Sequence, residues 1–391
     1  AYNIVTFLNG KATFEERKPM TQSQKKWAEA ILVDHHFATD TTYYPRPSYA
    51  INAAYPNVKK LWQHEEKYDI GAGTAIKDNL VIATSNEGVI YALDEKDGSK
   101  KWSFKTRGKI YSTPVVAGNY VVTSCTDSII YCLNATTGAL IWKYQSPKPF
   151  VASPVVQNGV VLTGGSDGHF RAITLKDGKL KWDFDEVKDF VMTKPLIYND
   201  KVYFGSWGNE FYALQATTGK LAWKWKDTSN IRMNSPAGCK PVAAHGKVFI
   251  VAPDQFMTAF DAATGKVIWR TKMPEVRVRE SIGLSNDSSL VYVKTTDGKL
   301  YGFSTTAPAM TAEFNVDLKL SNDICAAAIV ESNGVVFVPS NSGVISAIDR
   351  DTKMLLWKYK VSDSMVNSVM PLANNKVIVS TVDGKISCLA F

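Results

Sequence analysis

The sequence lacks most of the patterns by which an enzyme or a membrane protein is recognised. Its 391 residues contain no run of about 18 apolar residues, so we expect no membrane-spanning helix. Five histidines are too few to support a Ser/His/Asp arrangement, and neither a Gly-rich phosphate loop nor a nucleophile elbow occurs. The chain begins at Ala1 without a methionine or an apolar leader, which indicates a processed form or a part of a longer protein.

Cysteine is also scarce, and its spacing excludes two kinds of site. No CxxC pair and no adjacent pair occurs among Cys125, Cys132, Cys239, Cys325 and Cys388. A zinc site and a vicinal disulfide therefore lack support, and the odd number leaves at least one free thiol. We predict that Cys132 and Cys388 are buried packing residues. A disulfide between Cys125 and Cys132 stays open at this point.

Positive charge is in excess but is not concentrated. The net charge is +8 and the isoelectric point is near 9.0, yet the lysines and arginines are scattered through turns and outer strands. A nucleic-acid interface needs a clustered basic face with stacking aromatic residues. We therefore expect no nucleic-acid partner.

What is present is a long repeat. The segment "YCLNATTGALIW" (131–142) has counterparts such as "YALDEKDGSKKW" (91–102) and "YALQATTGKLAW" (212–223). Trp102, Trp142, Trp182 and Trp223 follow one another at intervals of 40 or 41 residues. This period is typical of a four-stranded repeating unit.

Each repeat divides into four short strands. Residues 114–145 contain apolar runs that are broken at Gly118-Asn119, at Thr126-Asp127-Ser128 and at Thr137-Gly138. Asp, Asn and Gly supply the positive φ that tight hairpins need. One such sheet cannot bury both of its faces, so we expect neighbouring units to pack against each other.

In six copies a small residue precedes the terminal tryptophan by ten positions, as Ala92 precedes Trp102. We predict that the aromatic side chain packs on the next sheet and that the small residue lets the sheets approach closely. These predicted docking residues are Trp62, Trp102, Trp142, Trp182, Trp223, Trp269, Phe314 and Trp357.

The two ends of the repeat predict a closed ring. The last copy, "DGKISCLAF" (383–391), stops before its tryptophan, and "NVKKLWQHE" (57–65) supplies an outer strand in register with the series. Pairing these two segments removes exposed sheet edges. We therefore predict an all-β protein, an eight-bladed β-propeller of four-stranded antiparallel blades with outer-strand closure over residues 57–391, preceded by a small hairpin–helix segment over residues 1–56.

The repeat, of the form small–x–x–x–Thr–Gly–x–x–x–Trp, resembles the tryptophan-docking repeats of the pyrroloquinoline-quinone (PQQ)-like propeller superfamily. The resemblance covers residues 57–391. Its dehydrogenase branch implies a quinone over the central channel, a calcium ion and adjacent cysteines. Its scaffold branch, which includes the outer-membrane assembly lipoprotein BamB, implies a non-catalytic protein. The length and the missing Cys-Cys pair favour the scaffold branch, so we expect neither PQQ nor calcium.

Residues 1–56 do not carry the repeat. "YNIVTFLNGKATFEER" predicts a hairpin around Asn9-Gly10, and "TQSQKKWAEAILVDHH" predicts an amphipathic helix with Trp27, Ile31 and Leu32 on one face. Asp34, His35 and His36 are interpreted as a polar helix end, not as metal ligands. The first 18 residues resemble the end of a calcineurin-like metallophosphoesterase domain, whose metal-binding motifs are absent from this chain.

Charged residues before several innermost strands are the candidate site. Lys194, Arg232, Arg277, Arg279 and Glu280 are predicted to lie where the propeller opens toward its channel, either as an anion-binding funnel or as solvated loop charges. Trp207 lies on a turn that departs from the repeat, either as a binding anchor or as a cover for a neighbouring blade.

Three functions follow from these observations. The leading hypothesis is a non-catalytic binding or scaffold module, monomeric, that holds a protein, peptide or glycan on one face. The second is the propeller portion of a metallophosphoesterase whose active site lies upstream, and the third is a quinoprotein dehydrogenase. The resemblance implies an exported, periplasmic or cell-surface location.

Overall fold

The computed structural model describes residues 2–18, 23–31, 47–226, 231–272, 278–320 and 322–391. The chain forms two compact units, Ala1–Ser48 and Tyr49–Phe391. No helix among the described residues has both the length and the apolar character needed to cross a membrane.

The first unit is a three-stranded antiparallel sheet in chain order. Its strands are β1 (Tyr2–Leu8), β2 (Lys11–Lys18) and β3 (Ser23–Ile31). Asn9 and Gly10 connect β1 to β2 with φ values of 49° and 70°, as a two-residue hairpin turn requires. The predicted hairpin is confirmed.

The helix predicted over residues 21–36 is wrong, because β3 occupies its first part. Trp27 and Ile31 are four residues apart, a spacing that fits one face of a strand as well as one face of a helix. Pairing with β2 decides between them: the Trp27 ring lies 5.4 Å from that of Phe14, and its indole Nε1 donates to Asn3 Oδ1 at 3.1 Å. Asp34, His35 and His36 lie outside the described residues.

The second unit begins with a 3-10 helix, Ala50–Ala54, and an isolated outer strand, β4 (Lys59–Glu65). Eight four-stranded antiparallel sheets then follow, which we call blades 1 to 8. Blades 1 and 2 comprise β5 (Ala75–Lys77), β6 (Leu80–Thr84), β7 (Val89–Asp94), β8 (Lys100–Lys105), β9 (Val115–Ala117), β10 (Tyr120–Ser124), β11 (Ile129–Asn134) and β12 (Leu140–Gln145). Blades 3 and 4 comprise β13 (Val155–Gln157), β14 (Val160–Gly164), β15 (Phe170–Thr174), β16 (Leu180–Phe184), β17 (Leu196–Tyr198), β18 (Lys201–Ser206), β19 (Glu210–Gln215) and β20 (Leu221–Lys226).

Two further 3-10 helices, Arg232–Asn234 and Pro236–Gly238, connect blade 4 to blade 5. Blades 5 and 6 comprise β21 (Val242–Ala244), β22 (Lys247–Val251), β23 (Phe256–Asp261), β24 (Val267–Lys272), β25 (Val278–Leu284), β26 (Leu290–Thr295), β27 (Lys299–Ser304) and β28 (Ala312–Asp317). Blade 7 comprises β29 (Val330–Ser332), β30 (Val335–Pro339), β31 (Val344–Asp349) and β32 (Leu355–Lys360). Blade 8 comprises β33 (Val366–Leu372), β34 (Lys376–Thr381), β35 (Lys385–Ala390) and the early strand β4.

Blade 8 closes the ring. β4 pairs antiparallel with β35, and Trp62 lies opposite Cys388. Buried side chains of blade 8, including Ile378 and Cys388, pack with those of blade 1, including Val81 and Tyr91. The closed β-propeller predicted from the sequence is confirmed.

Each repeat aromatic residue lies directly opposite the small residue of its own blade. Seven tryptophan pairs and one phenylalanine pair share this register: Trp102–Ala92, Trp142–Cys132, Trp182–Ala172, Trp223–Ala213, Trp269–Ala259, Phe314–Gly302, Trp357–Ala347 and Trp62–Cys388. The register shifts immediately after each small residue, so every outer strand carries a bulge at the same place. The small side chain leaves room for the large ring beside it within one sheet.

Five tryptophans also bond to the following blade. The indole Nε1 of Trp142 donates to the Leu175 carbonyl at 2.7 Å, and the turn that follows Leu175 places Gly178 against the ring. A Cβ at Gly178, whose φ is 71°, would lie 2.7 Å from Trp142 Cδ2. The same bond joins Trp62 to Glu95, Trp102 to Ala135, Trp182 to Ala216 and Trp223 to Ala262. In all five cases the acceptor is the carbonyl three residues before the glycine of a Thr-Gly or Asp-Gly turn in the following blade.

Two tryptophans lack this bond. Nε1 of Trp269 and Nε1 of Trp357 are buried without a hydrogen-bond partner in the described part of the chain. Blade 6 has no Thr-Gly turn after Trp269, and the Lys247 ammonium instead donates to the carbonyls of residues 305, 306 and 307, each at 2.9 Å. Trp357 contacts Phe391, with ring centroids 5.2 Å apart.

Candidate functional site

The inner strands of the eight blades, or the segments that lead into them, line one central cavity of about 560 Å³. In six blades the innermost strand has three residues, and the residue two places before it lies in the cavity wall. These six equivalent residues, which we call the channel ring, are Gly73, Thr113, Ser153, Lys194, Lys240 and Ala328. Proline follows four of them, and its fixed φ holds the chain extended as it enters the strand.

The hydroxyl members of the channel ring join neighbouring blades. Thr113 Oγ1 accepts from the Gly73 backbone N–H at 3.0 Å, and Ser153 Oγ accepts from the Thr113 backbone N–H at 2.9 Å. Ser368 of blade 8 accepts from the Thr74 backbone N–H at 3.4 Å. These hydroxyls satisfy backbone donors at the blade seams, so their first role is structural.

The two lysines of the channel ring are neighbours, in blades 4 and 5. The Lys240 ammonium reaches past blade 6 and donates to the Ala326 carbonyl of blade 7 at 3.0 Å. Burial lowers the pKa of both amines, and the charge of Lys194 lowers the pKa of Lys240 further, while attraction to Glu280 opposes this. The channel lining therefore carries two cationic side chains in neighbouring blades, of which Lys194 is exposed and Lys240 is half-buried.

Three exposed apolar residues and one half-buried tryptophan, in blade 4 and the segments on either side of it, make up what we call the mouth patch. Its members are Met192, Trp207, Ile231 and Met233. Met192 lines the cavity and its sulfur accepts from the Trp207 indole N–H at 3.1 Å. Ile231 and Met233 are 60% and 69% exposed, and both flank Arg232.

Contacts beneath the mouth patch fix its shape. The Trp207 ring stacks on that of Phe190 with centroids 5.7 Å apart, and its backbone N–H bonds to the Phe190 carbonyl at 3.0 Å. Arg232 forms an ion pair with Asp189, the residue before Phe190. The blade 4 turn that departs from the repeat is thus tied to the segment that leads into the channel.

The predicted site residues are distributed as follows. Lys194 lines the channel, Arg232 and Trp207 lie at the mouth patch, and Glu280 is buried in β25 behind the channel wall. Arg277 lies outside the described residues, as does the side chain of Arg279.

Sequence reasoning missed Lys240, although its signal is present. Thr113-Pro114, Ser153-Pro154, Lys194-Pro195 and Lys240-Pro241 align when the blades are superposed on the proline. That alignment places Lys240 beside Lys194 in the ring.

A buried ion pair between blades 6 and 7 was also missed. Lys294 Nζ donates to Asp323 Oδ1 and to the Pro339 carbonyl, both at 2.6 Å, with side chains 0% and 1% exposed. Asp323 also accepts from the backbone N–H groups of Cys325 and Asn341. Because the charged groups of both side chains are hydrogen-bonded, we interpret the pair as a structural contact between blades 6 and 7.

The residues of the channel do not fit a calcium-bound quinone. Calcium is held by six to eight oxygen ligands, mostly carboxylates and carbonyls. The side chains that line the described cavity include no aspartate and no glutamate, and Asn367 is their single amide. No group of three His, Cys, Asp or Glu side chains among the described residues could hold a metal ion.

The five cysteines are all buried and free. Burial raises the pKa of Cys132 to about 12 and that of Cys388 to about 11. Cys125 and Cys132 do not form a disulfide, and neither thiol has the lowered pKa of a reactive cysteine.

Solved structures share this fold at low sequence identity. A computationally designed protein, Ika8, matches with a TM-score of 0.73 and 17% identity over 85% of this chain and 100% of its own. BamB from Moraxella catarrhalis matches with a TM-score of 0.66 and 17% identity over 85% of this chain and 98% of its own. The quinohemoprotein alcohol dehydrogenase ADHIIG from Pseudomonas putida HK5 matches with a TM-score of 0.70 and 14% identity over 85% of this chain and 76% of its own. At such identities the likeness establishes the fold and not the activity.

Sequence comparison identifies the family. No curated protein matches the chain. A family model described as outer membrane protein assembly factor BamB matches residues 50–130, 118–225, 191–313 and 315–391. The resemblance of the first 18 residues to a metallophosphoesterase finds no support in these comparisons. Because the four matches together span the propeller, this chain belongs to the family described as outer membrane protein assembly factor BamB.

Proposed function

We propose that this propeller is a non-catalytic binding module that holds a protein partner at the mouth patch. The observation that carries the proposal is the set of large apolar side chains around blade 4. Met192 lines the cavity and accepts from Trp207, and Ile231 and Met233 flank Arg232, whose ion pair with Asp189 joins the two segments. Tryptophan and methionine are enriched at protein interfaces, where a preordered aromatic ring is a frequent anchor.

The geometry of the patch supports protein recognition over the recognition of a small polar ligand. Trp207 is held by Phe190 and Met192, so binding does not have to order it. Arg232 adds an exposed charge within the patch, and its pairing with Asp189 holds the guanidinium near the rim. An apolar centre with a charged border is the usual arrangement of a protein interface.

Two further observations favour binding over catalysis. The described channel lining has no carboxylate or imidazole that could act as a general acid or base. The family is described as an outer membrane protein assembly factor, a description that names an assembly role and no reaction. On the same grounds we propose a location at the outer membrane of the cell envelope.

The proposal is tested with peptides selected from a phage-displayed random library on the immobilised protein. Their dissociation constants are then measured by calorimetry against the wild type, Met233→Asp and the matched control Met354→Asp. Met233 and Met354 are 69% and 65% exposed, and Met354 lies in an outer-strand turn of blade 7, away from the cavity lining. We expect Met233→Asp to weaken binding about tenfold or more, or about 1.4 kcal/mol, and Met354→Asp to leave it unchanged. Equal affinity for both variants, or a selection that enriches no peptide, contradicts the proposal.

A further inference from the structure

The channel ring departs from its own repeat at two adjacent blades. Gly73, Thr113, Ser153 and Ala328 are small, as a position in a narrow channel favours, whereas Lys194 and Lys240 carry long cationic side chains. The charge of Lys194 lowers the pKa of Lys240, so placing both lysines here carries a repulsive contribution. The bond to the Ala326 carbonyl gives Lys240 a structural partner, whereas no bond within the described residues accounts for Lys194. A departure from a local pattern that packing does not explain is typical of a functional site.

The two ammonium groups keep donors available to a ligand. An ammonium group has three N–H donors. Lys240 uses one of them on the Ala326 carbonyl, and Lys194 forms no hydrogen bond or ion pair within the described residues. Glu280, which is buried in β25, is the carboxylate that acts on Lys240, and the nearby Cys325 thiol is neutral because burial raises its pKa. One carboxylate against two ammonium groups leaves the cavity with a positive charge.

The rest of the cavity indicates the size and polarity of the ligand. Its volume of about 560 Å³ lies within the range of small-molecule sites. The walls beside the lysines are apolar, formed by residues such as Leu196, Val242 and Ile282. The cavity therefore suits a small organic molecule with a charged end and an apolar body.

We propose that the central channel binds a small organic dianion, with its doubly charged oxyanion end between Lys194 and Lys240. A dicarboxylate and a phosphate monoester share this chemistry, since both present several oxygen acceptors to two ammonium groups. The site does not depend on the protein-binding function proposed above, because its ligand lies inside the channel and not on the mouth patch.

The test is calorimetry of the whole protein with succinate, inorganic phosphate and the uncharged analogue succinamide. The variants are Lys194→Met, Lys240→Met and the double variant, which keep side-chain volume and remove charge. Lys220→Met is the control, because Lys220 is exposed in a turn of blade 4 and is not part of the cavity lining. Far-UV circular dichroism verifies that each variant is folded.

We expect saturable binding of succinate, phosphate or both, and none of succinamide. Each single variant should weaken binding at least tenfold, the double variant should abolish it, and Lys220→Met should leave it unchanged. Binding of succinate alone supports the dicarboxylate class, and binding of phosphate alone supports the phosphate monoester class. Lys194→Arg, which keeps the charge, should retain binding. The proposal is overturned if neither dianion binds, or if the double variant binds as tightly as the wild type. Loss of peptide binding in Met233→Asp with dianion binding intact would separate the two proposals.

Discussion

The indole bonds between blades allow a direct test of what the repeat tryptophan contributes. Trp142 and Trp269 occupy the same position in their blades, and each is 8% exposed. Trp142 Nε1 donates to the Leu175 carbonyl at 2.7 Å, whereas Trp269 Nε1 is buried without a hydrogen-bond partner in the described residues. Replacing each by phenylalanine removes a similar apolar area but a different polar contact.

The expected difference follows from that polar contact. Trp142→Phe loses a net hydrogen bond worth about 1 kcal/mol and leaves the Leu175 carbonyl unsatisfied, at a cost of about 1–3 kcal/mol. Trp269→Phe removes a buried N–H that has no partner, and the relief of its desolvation offsets part of the lost packing. We therefore expect Trp142→Phe to lower the free energy of unfolding by about 2 kcal/mol more than Trp269→Phe does.

Urea denaturation followed by far-UV circular dichroism measures this difference without relying on tryptophan fluorescence. Trp62→Phe and Trp357→Phe form a second pair, because Trp62 donates to the Glu95 carbonyl at 2.8 Å and Trp357 Nε1 has no partner in the described residues. The reasoning is refuted if both members of each pair lose the same stability.

Three further predictions concern buried groups. Lys294→Met should destabilise the protein by about 3–5 kcal/mol in urea denaturation, because it leaves the Asp323 carboxylate buried without its cation. Adding Asp323→Asn to this variant should recover part of the loss. If the destabilisations of the two single variants simply add in the double variant, the two side chains are not coupled and the reasoning is contradicted. No cysteine should react rapidly with a thiol-specific disulfide reagent until the protein unfolds, since Cys132 and Cys388 are buried with pKa values near 12 and 11; fast labelling of the native protein would be inconsistent with their burial. Lys240 has a lowered pKa in the folded state, so the unfolded chain binds more protons below the ordinary lysine pKa of 10.5, and stability should rise as the pH increases toward that value. Lys240→Met should flatten this rise, because the variant has no amine to titrate at this position, and a steeper pH dependence in the variant would contradict the assigned sign.

The ring and its closure could be predicted because each repeat contains both a turn sequence and a terminal aromatic residue at a fixed spacing. The spacing of Trp62 from Trp102 placed β4 in register with the outer strands before any pairing was known. Tight turns such as Asn9-Gly10 could also be predicted from the sequence, because their positive φ depends on the local residue types.

The first unit shows where a local pattern is insufficient. The spacing of Trp27 and Ile31 satisfies a helix and a strand alike, and only pairing with β2 selects the strand. Tertiary context of this kind has no signature inside the segment itself.

The polar features between blades were harder to find. Lys294 lies in β26 and Asp323 lies in the connection between blades 6 and 7, and neither differs in its sequence context from a solvated charge. Lys240 does not align with Lys194 when the repeats are aligned on their tryptophans, because the loops between each tryptophan and the next inner strand differ in length. Alignment on the prolines before the inner strands places the two lysines at the same position.

The closure of blade 8 by β4 has a consequence for biosynthesis. Gln63 of β4 and Ser387 of β35 are hydrogen-bond partners 324 residues apart. Since a ribosome makes the chain from its amino end, β4 emerges before the other strands of the propeller, and its partner β35 emerges after them. The early strand must therefore remain unpaired with its sheet while the intervening blades are made, and the ring can close only after β35 has been made. A circular permutant that joins β4 directly behind β35 would turn this late, long-range step into a local hairpin and should fold faster.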